Sequence, residues 1–127
     1  MFRWGTTAAH SIPELTSAQD CDSLLNRDVV IVFKHSPACA VSWIAHAQVN
    51  QFLKAGPQVP VYLISVRQRR DLARYITERT GVEHASPQVI VLRRGQVIAA
   101  LSHEEITSEL LVSVLEAECR PLGINFF

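Results

Sequence analysis

The apolar residues of this chain recur with two different periods, which predict its strands and its helices. A continuous run of β-branched and aromatic residues, typical of a strand buried on both faces, occurs at Val29–Phe33, and further strands are predicted at Val59–Val66 and Gln88–Leu92. A fourth apolar run, Val97–Leu101, is reached through a turn at Arg94-Gly95-Gln96, which favours a hairpin with the third. We therefore predict four strands, of which the last two are antiparallel.

Apolar residues three and four positions apart predict helices around these strands. The first helix starts at Ser17-x-x-Asp20, which resembles a capping box. The second runs from about Cys39 to Lys54, the third ends at Gly81 after starting near Arg69, and Thr107 caps the last. The positions predicted to face the core are Ala18, Cys21, Leu24 and Leu25; Val41, Ala45, Val49, Phe52 and Leu53; Leu72 and Ile76; and Leu110, Leu111, Val114 and Leu115.

The order of these elements is helix, then β-α-β, then helix, then β-β-α. Two strands joined by a helix are parallel with a right-handed crossover, whereas the hairpin is antiparallel. We therefore predict an α/β fold with a four-stranded mixed sheet and helices on both faces, which is the element order of the thioredoxin fold. Since no repeat or linker divides the chain, we expect one domain over 1–127, with a core of about 29–119 and an N-terminal helical extension over 12–27.

Composition narrows the class of partner and the compartment. The 127 residues carry 12 basic and 12 acidic side chains and no long basic run, so we expect no nucleic-acid partner, which would require neutralised phosphates. The longest apolar runs are five residues, against about 20 for a membrane span, so we expect no membrane partner. Three cysteines, and a start at Met1–His10 without the apolar run of a signal peptide, predict a cytoplasmic protein with reduced thiols.

Cys39 is the residue most suggestive of chemistry. It follows a buried strand and a short turn, at the point where the second helix is predicted to begin. The free amide groups and the dipole of a helix start favour an anion, and such positions lower the pKa of a thiol. Lys34 and His35 add cationic or partly cationic neighbours in sequence. Cys39 therefore is a candidate nucleophile, although a free cysteine is as commonly a small buried apolar residue.

The residue three positions after Cys39 is Ser42 rather than a second cysteine. A hydroxyl donates a hydrogen bond to a thiolate but cannot close a disulfide, so an enzyme built on this pair is monothiol. Cys21 and Cys119 lie on apolar helical faces and are predicted to be buried. A resolving role for Cys119 stays open from the sequence alone.

Two further groups complete the set of candidates. Ser86-Pro87-Gln88 places a proline directly before the third strand, where it is either an ordinary turn residue or part of a site. The histidines show no metal-ligand spacing, so we expect no metal; they are His10, His35, His46, His84 and His103.

Taken together, three blocks of this sequence resemble the monothiol bacilliredoxin family, thioredoxin-fold relatives of the glutaredoxins. The resemblance covers about Val29 to Leu115, with the blocks in the family's order. They are Phe33-Lys34-His35-Ser36 with Cys39 and Ser42; Gly81-Val82-x-His84-x-Ser86-Pro87-Gln88; and Ser102-His103-x-x-Ile106-Thr107.

The resemblance implies a function and a site. It implies that Cys39 attacks mixed disulfides of S-thiolated client proteins and removes bacillithiol, which serves as co-substrate with no bound cofactor. It also implies that Pro87 is cis and faces Cys39, with the backbone of Ser86 contacting the substrate. By analogy with glutaredoxins, a carboxylate of the small thiol would lie at the helix start formed by Ser102, His103 and Thr107, assisted by Lys34 and arginines, and His35 would flank the site.

One departure and two alternatives remain. The family usually has proline directly after the nucleophile, where this chain has Ala40. Some monothiol glutaredoxins carry an iron–sulfur cluster, but their C-G-F-S pattern is here Cys39-Ala40-Val41-Ser42. A thioredoxin-like interaction module without rapid thiol chemistry is the other alternative, and a Cys39 pKa near that of free cysteine would favour it.

Overall fold

A computed structural model of the protein describes residues 12–127; the expectations about Met1–Ser11, including His10, concern residues outside that range. The helices are α1 (Ala18–Leu24), α2 (Ala40–Lys54), α3 (Arg70–Thr80) and α4 (Ser108–Glu118), and the strands are β1 (Val29–His35), β2 (Val61–Ser65), β3 (Gln88–Arg93) and β4 (Gln96–Ser102). Short 3-10 turns occupy His103–Glu105 and Arg120–Leu122. None of the helices described has both the length and the apolar character needed to cross a bilayer.

The four strands form one mixed sheet in the order β2-β1-β3-β4. β1 is parallel to β2 and antiparallel to β3, and β3 is antiparallel to β4. The predicted fold class, with a parallel β-α-β unit and a terminal hairpin, is therefore confirmed.

Alternating side chains of the central strand β1 enter two separate cores, as the two-residue period of a strand requires. Phe33 faces α2 and α4 and packs in a cluster with Phe52 and Leu115. Val32, its neighbour, faces α1 and α3 and packs with Ile76. All seven residues of β1 are buried. Its last two residues, Lys34 and His35, continue this alternation and lie on opposite faces of the sheet.

Some predicted core positions are wrong because the buried face of a helix is narrower than its apolar stripe. α2 buries Ser42, Ala45, Val49 and Phe52, and Val41, about 100° away around the helix, is 39% exposed. On α4, Leu111 and Leu115 are buried and Val114 is half-buried against the same core, as predicted, whereas Leu110 is exposed.

Strand β2 is shorter than its apolar run. The prediction began at Val59, but the strand begins at Val61, because Pro60 has no N–H to donate to the ladder. The carbonyl of Pro60 still accepts from the Ile31 N–H at 2.9 Å, so the chain remains attached to the sheet there.

Candidate active site

The sheet brings the three sequence blocks to one edge. β1 ends at His35, and because β3 is antiparallel to it, β3 begins there. In register, Lys34 lies opposite Gln88, and Gln88 lies opposite Ser102. The turn before Cys39, the segment ending at Pro87 and the segment after Ser102 therefore leave the sheet at the same end.

Cys39 is the N-cap residue of α2. Its backbone is extended (φ −113°, ψ 124°), its N–H donates to the Ser36 carbonyl at 3.0 Å, and its carbonyl accepts from the Trp43 N–H at 3.3 Å. No side chain caps this helix and no acidic residue lies in its first turn. The half-buried Cys39 thiol therefore adjoins amide groups that have no competing anion.

Ser42 lies fully buried behind Cys39 and is joined to the end of β1. Its Oγ accepts from the Ser36 N–H at 2.9 Å and lies 2.7 Å from Nδ1 of His35. In the part of the chain that the structure describes, no hydrogen bond joins Ser42 to Cys39. The hydroxyl thus fixes the turn before the thiol, a role that the C-x-x-S spacing alone did not reveal.

His35 is a buried, neutral member of an aromatic cluster. The residue is 4% exposed. The centre of its ring lies 4.5 Å from the ring centre of Trp43 and 4.9 Å from that of His46. Burial, and then the charge on His46, lower the pKa of His35 to about 4. The expectation of a partly cationic His35 is therefore wrong: desolvation keeps the ring uncharged near neutral pH.

Trp43 covers the rim of this cluster. Its indole N–H donates to the Pro37 carbonyl at 2.8 Å, and half of the residue is exposed. The turn 36–39 is thereby held by Trp43 on one side and Ser42 on the other.

The segment before β3 adjoins the segment after β4. The Ser86–Pro87 peptide bond is cis, as the resemblance implies. The Pro87 carbonyl accepts from the His103 N–H at 3.0 Å, and His103 has a positive φ of 54°. The Ser86 hydroxyl is buried without a hydrogen-bond partner among the described residues. The structure therefore brings Ser86, Pro87 and His103 together.

Ser102 and Thr107, expected to hold a carboxylate of the small thiol after β4, already form hydrogen bonds within the protein. The Ser102 N–H donates to the Glu105 carboxylate at 2.8 Å, and the Thr107 hydroxyl accepts from the Leu110 N–H at 3.1 Å. Glu104 and Glu105 also make this turn acidic. A ligand carboxylate at this helix start would have to compete with Glu105.

Lys34 lies on the opposite face of the sheet, against α3. It is fully buried, and its Nζ donates to Thr77 Oγ1 at 3.4 Å and to His84 Nδ1 at 3.2 Å. Burial lowers the pKa of Lys34 to about 8. Sequence reasoning missed both partners, which lie far along the chain; the one available signal was the place of His84 in the second block.

Comparison with known proteins identifies the family of this chain. A family model described as "Monothiol bacilliredoxin BrxC" matches residues 13–111. The chain belongs to the monothiol bacilliredoxin family. A solved candidate oxidoreductase with a thioredoxin fold is 31% identical, with 81% of this chain and 92% of that one covered and a TM-score of 0.76.

More distant solved structures share the fold of this bacilliredoxin family member. Mitochondrial thioredoxin 3 of Saccharomyces cerevisiae is 17% identical, covers 86% of this chain and 97% of its own, and has a TM-score of 0.69. A thioredoxin mutant from Halobacterium salinarum is 16% identical, covers 90% and 96%, and has a TM-score of 0.68. The thioredoxin fold and a thioredoxin-like redox function follow from the family.

The two remaining cysteines agree with a monothiol bacilliredoxin. Cys21 lies in the core between the sheet and α1 and α3, Cys119 lies in the opposite core, and both are 0% exposed. Burial raises the pKa of Cys21 to about 11 and raises that of Cys119. Their predicted burial is confirmed. Among residues 12–127, no group of three or more His, Cys, Asp or Glu side chains is arranged to hold a metal ion.

Proposed function

We propose that this protein is a monothiol thiol–disulfide oxidoreductase that removes bacillithiol from mixed disulfides of client proteins through Cys39. One contrast carries the proposal. Cys39 is half-buried at an uncapped helix start, whereas Cys21 and Cys119 are fully buried. Only the thiolate is a nucleophile, and Cys39 alone adjoins amide groups that favour it.

In the first step, the Cys39 thiolate attacks the bacillithiol sulfur of the mixed disulfide. A disulfide forms between Cys39 and bacillithiol while the bond to the client sulfur breaks. The client leaves as a thiolate, which takes a proton from water. Departure is faster when the pKa of the client thiol is low.

In the second step, a free bacillithiol thiolate attacks the adduct on Cys39. Bacillithiol disulfide leaves, and the Cys39 thiolate is restored. An external thiol takes this role because Ser42 has no sulfur and because Cys21 and Cys119 are both fully buried.

The residues around Cys39 have proposed roles in holding the substrate. The backbone of Ser86, next to cis-Pro87, contacts the disulfide, and its buried hydroxyl, which lacks a partner among the described residues, supports a ligand there. His103 holds that segment through the Pro87 carbonyl. His35 supports the turn from behind, Ser102 and Thr107 are candidates for contacting the small thiol, and Lys34, which is fully buried, acts on it through its charge. Three unpaired cysteines fit the reducing cytoplasm, where we propose the protein acts.

The test follows adduct formation by intact mass. Reduced protein is mixed briefly with bacillithiol disulfide or with glutathione disulfide near neutral pH. We expect one adduct on wild type and on a Cys21→Ala/Cys119→Ala double variant, formed faster with bacillithiol, and none on Cys39→Ser. A bacillithiolated client protein then shows transfer of the small thiol to Cys39.

Each other outcome has a definite meaning. A faster reaction with glutathione disulfide retains the thiol chemistry but rejects bacillithiol as the substrate. An adduct that persists on Cys39→Ser rejects Cys39 as the nucleophile. The absence of any adduct on wild type rejects the enzyme and favours an interaction module.

A further inference from the structure

The ammonium group of Lys34 is buried in a way that is costly without a nearby anion. Both of its hydrogen-bond partners, Thr77 and His84, are neutral when they accept from it. None of the ion pairs formed by residues 12–127 includes Lys34. A buried charge with no counter-charge strongly destabilises a fold. A bound anion would compensate the charge of Lys34, and the described residues supply none.

A cavity lies directly beyond the two partners of Lys34. It has a volume of about 330 Å³ and is lined by Val66, Arg70, Ala73, Arg74, Thr77 and His84. Two of its lining residues lie near the sheet end that carries the active-site turn: the Val66 N–H donates to the His35 carbonyl at 2.9 Å, and His84 lies two residues before Ser86 of the cis-Pro87 segment.

The rim of this cavity adds two more cations. Arg70 and Arg74 lie one turn apart on α3, and neither forms an ion pair within residues 12–127. Other arginines of the chain do: Arg69 pairs with Asp71, and Arg79 pairs with Asp22. Arg69 and Arg79 are thus neutralised by carboxylates, whereas Arg70 and Arg74 face the cavity without one.

His84 supplies a neutral donor to the same cavity. Lysine has only donors, so Nδ1 of His84 must accept from Lys34 and the ring hydrogen lies on Nε2. Burial and the charge on Lys34 lower the pKa of His84, which keeps this tautomer uncharged. The cavity therefore combines two guanidinium groups, one imidazole N–H and a buried ammonium behind its wall, a set of donors that matches carboxylate or phosphate oxygens.

We propose that this cavity binds a dianionic group, held by Arg70, Arg74 and His84 Nε2–H and attracted by the charge of Lys34. The inference rests on the proposed function in one respect: it identifies the dianion as the carboxylate-bearing part of the small thiol whose sulfur reaches Cys39. It also moves the anionic end of that thiol away from the acidic turn at Glu104 and Glu105. Lys34, Arg70 and Arg74 carry three positive charges with no counter-charge among the described residues. Such a set neutralises a group with two carboxylates better than a group with one.

The test measures anion binding separately from thiol chemistry. A Cys39→Ser protein, in which the proposed nucleophile is absent, is titrated with malate, inorganic phosphate and lactate at constant ionic strength, with backbone amide NMR shifts as the readout. We expect saturable shifts in α3 and around His84 with the dianions and much weaker binding of lactate. Lys34→Met, Arg70→Gln and Arg74→Gln should each weaken binding about ten-fold, as expected for loss of a charge-assisted contact. Arg67→Gln removes an exposed arginine outside the cavity lining and serves as the matched control.

The arms of the titration distinguish the source of the anion. Tighter binding of malate supports a dicarboxylate, whereas tighter binding of phosphate retains the dianion site but rejects its assignment to the carboxylates of the thiol. Absence of saturable binding, lactate binding equal to malate, or equal losses in Arg67→Gln would overturn the site. Reaction of Cys39 with the uncharged hydroxyethyl disulfide, measured in parallel, reports on the proposed nucleophile alone, so failure of the anion site and failure of the thiol chemistry give different results.

Discussion

Nδ1 of His35, the last residue of β1, lies 2.7 Å from the Oγ of Ser42 in the first turn of α2. This contact, with the Ser36 N–H bonded to the same oxygen, closes the chain around the turn that carries Cys39. Two groups, the buried His35 ring and the half-buried Ser36 N–H, share this one hydroxyl, so its removal leaves both without that partner.

Ser42→Ala should therefore destabilise the protein. It leaves the Ser36 N–H and the His35 ring without their partner, and an unsatisfied buried polar group costs about 1–3 kcal/mol. Urea unfolding near neutral pH measures the loss. Ser113→Ala, on the exposed side of α4, is the control and should change the unfolding free energy little. Equal effects of the two variants would show that the Ser42 contacts add no stability.

Ser42→Cys should convert the monothiol site into a dithiol site. The substituted sulfur would stand where Ser42 stands, three residues after Cys39 at the helix start, a spacing at which a second thiol attacks an adduct and releases it. We expect bacillithiol disulfide to leave an internal disulfide, seen as loss of two hydrogens by intact mass, rather than a persistent adduct. Ser42→Ala, which adds no sulfur, should keep the adduct. A persistent adduct on both variants would contradict the arrangement.

Acid should weaken the fold through His35. Its pKa is lowered to about 4 from 6.5, so the unfolded chain takes up a proton first as the pH falls. Stability is thus lost between about pH 6.5 and pH 4, by at most roughly 3 kcal/mol from this group. His35→Phe removes the titration, and its unfolding free energy should fall less steeply over that interval than that of wild type. Parallel pH profiles of the two proteins would refute a buried neutral His35.

Thiol accessibility should separate the three cysteines. Cys39 is half-buried, whereas Cys21 and Cys119 are 0% exposed and have raised pKa values. A colorimetric disulfide reagent should therefore modify one thiol rapidly in the native protein and three in denaturant. In Cys39→Ser the rapid phase should disappear. A second rapid phase in the native state would mean that a core cysteine becomes accessible and can serve as a resolving thiol.

The sequence predicts the framework of this protein because local periods decide it. The buried runs of β1 and β3 and the helix after Cys39 are each visible within a few residues, and their order leaves only a few possible sheet topologies. The burial of Val41 and Leu110 was predicted wrongly, since their exposure depends on which side of a helix its neighbours cover. That depends on packing between elements, which the local pattern does not record.

The candidate site was predictable in its blocks and not in its contacts. The spacing around Cys39, Ser86 and Pro87 carries the resemblance, and the sheet brings these blocks to one edge. The partners of Lys34 are 43 and 50 residues away in sequence, and no local pattern connects them. The division of roles between Lys34 and His35 follows from strand alternation, but only once both faces of β1 are known to be covered.

The buried charge of Lys34 should lower the free energy of unfolding at neutral pH, and this effect should disappear at high pH, where the side chain is uncharged. Its pKa falls from 10.5 to about 8 on burial, so the folded protein holds fewer protons than the unfolded chain between these values and wild-type stability rises with pH across that window. Lys34→Met should accordingly be more stable than wild type below about pH 8, by at most roughly 3 kcal/mol, and the advantage should vanish above about pH 10.5. Urea unfolding at several pH values measures it, with the exposed Lys54→Met as the control. A Lys34→Met protein that is less stable at neutral pH would indicate that the ammonium group has a counter-charge in the folded protein.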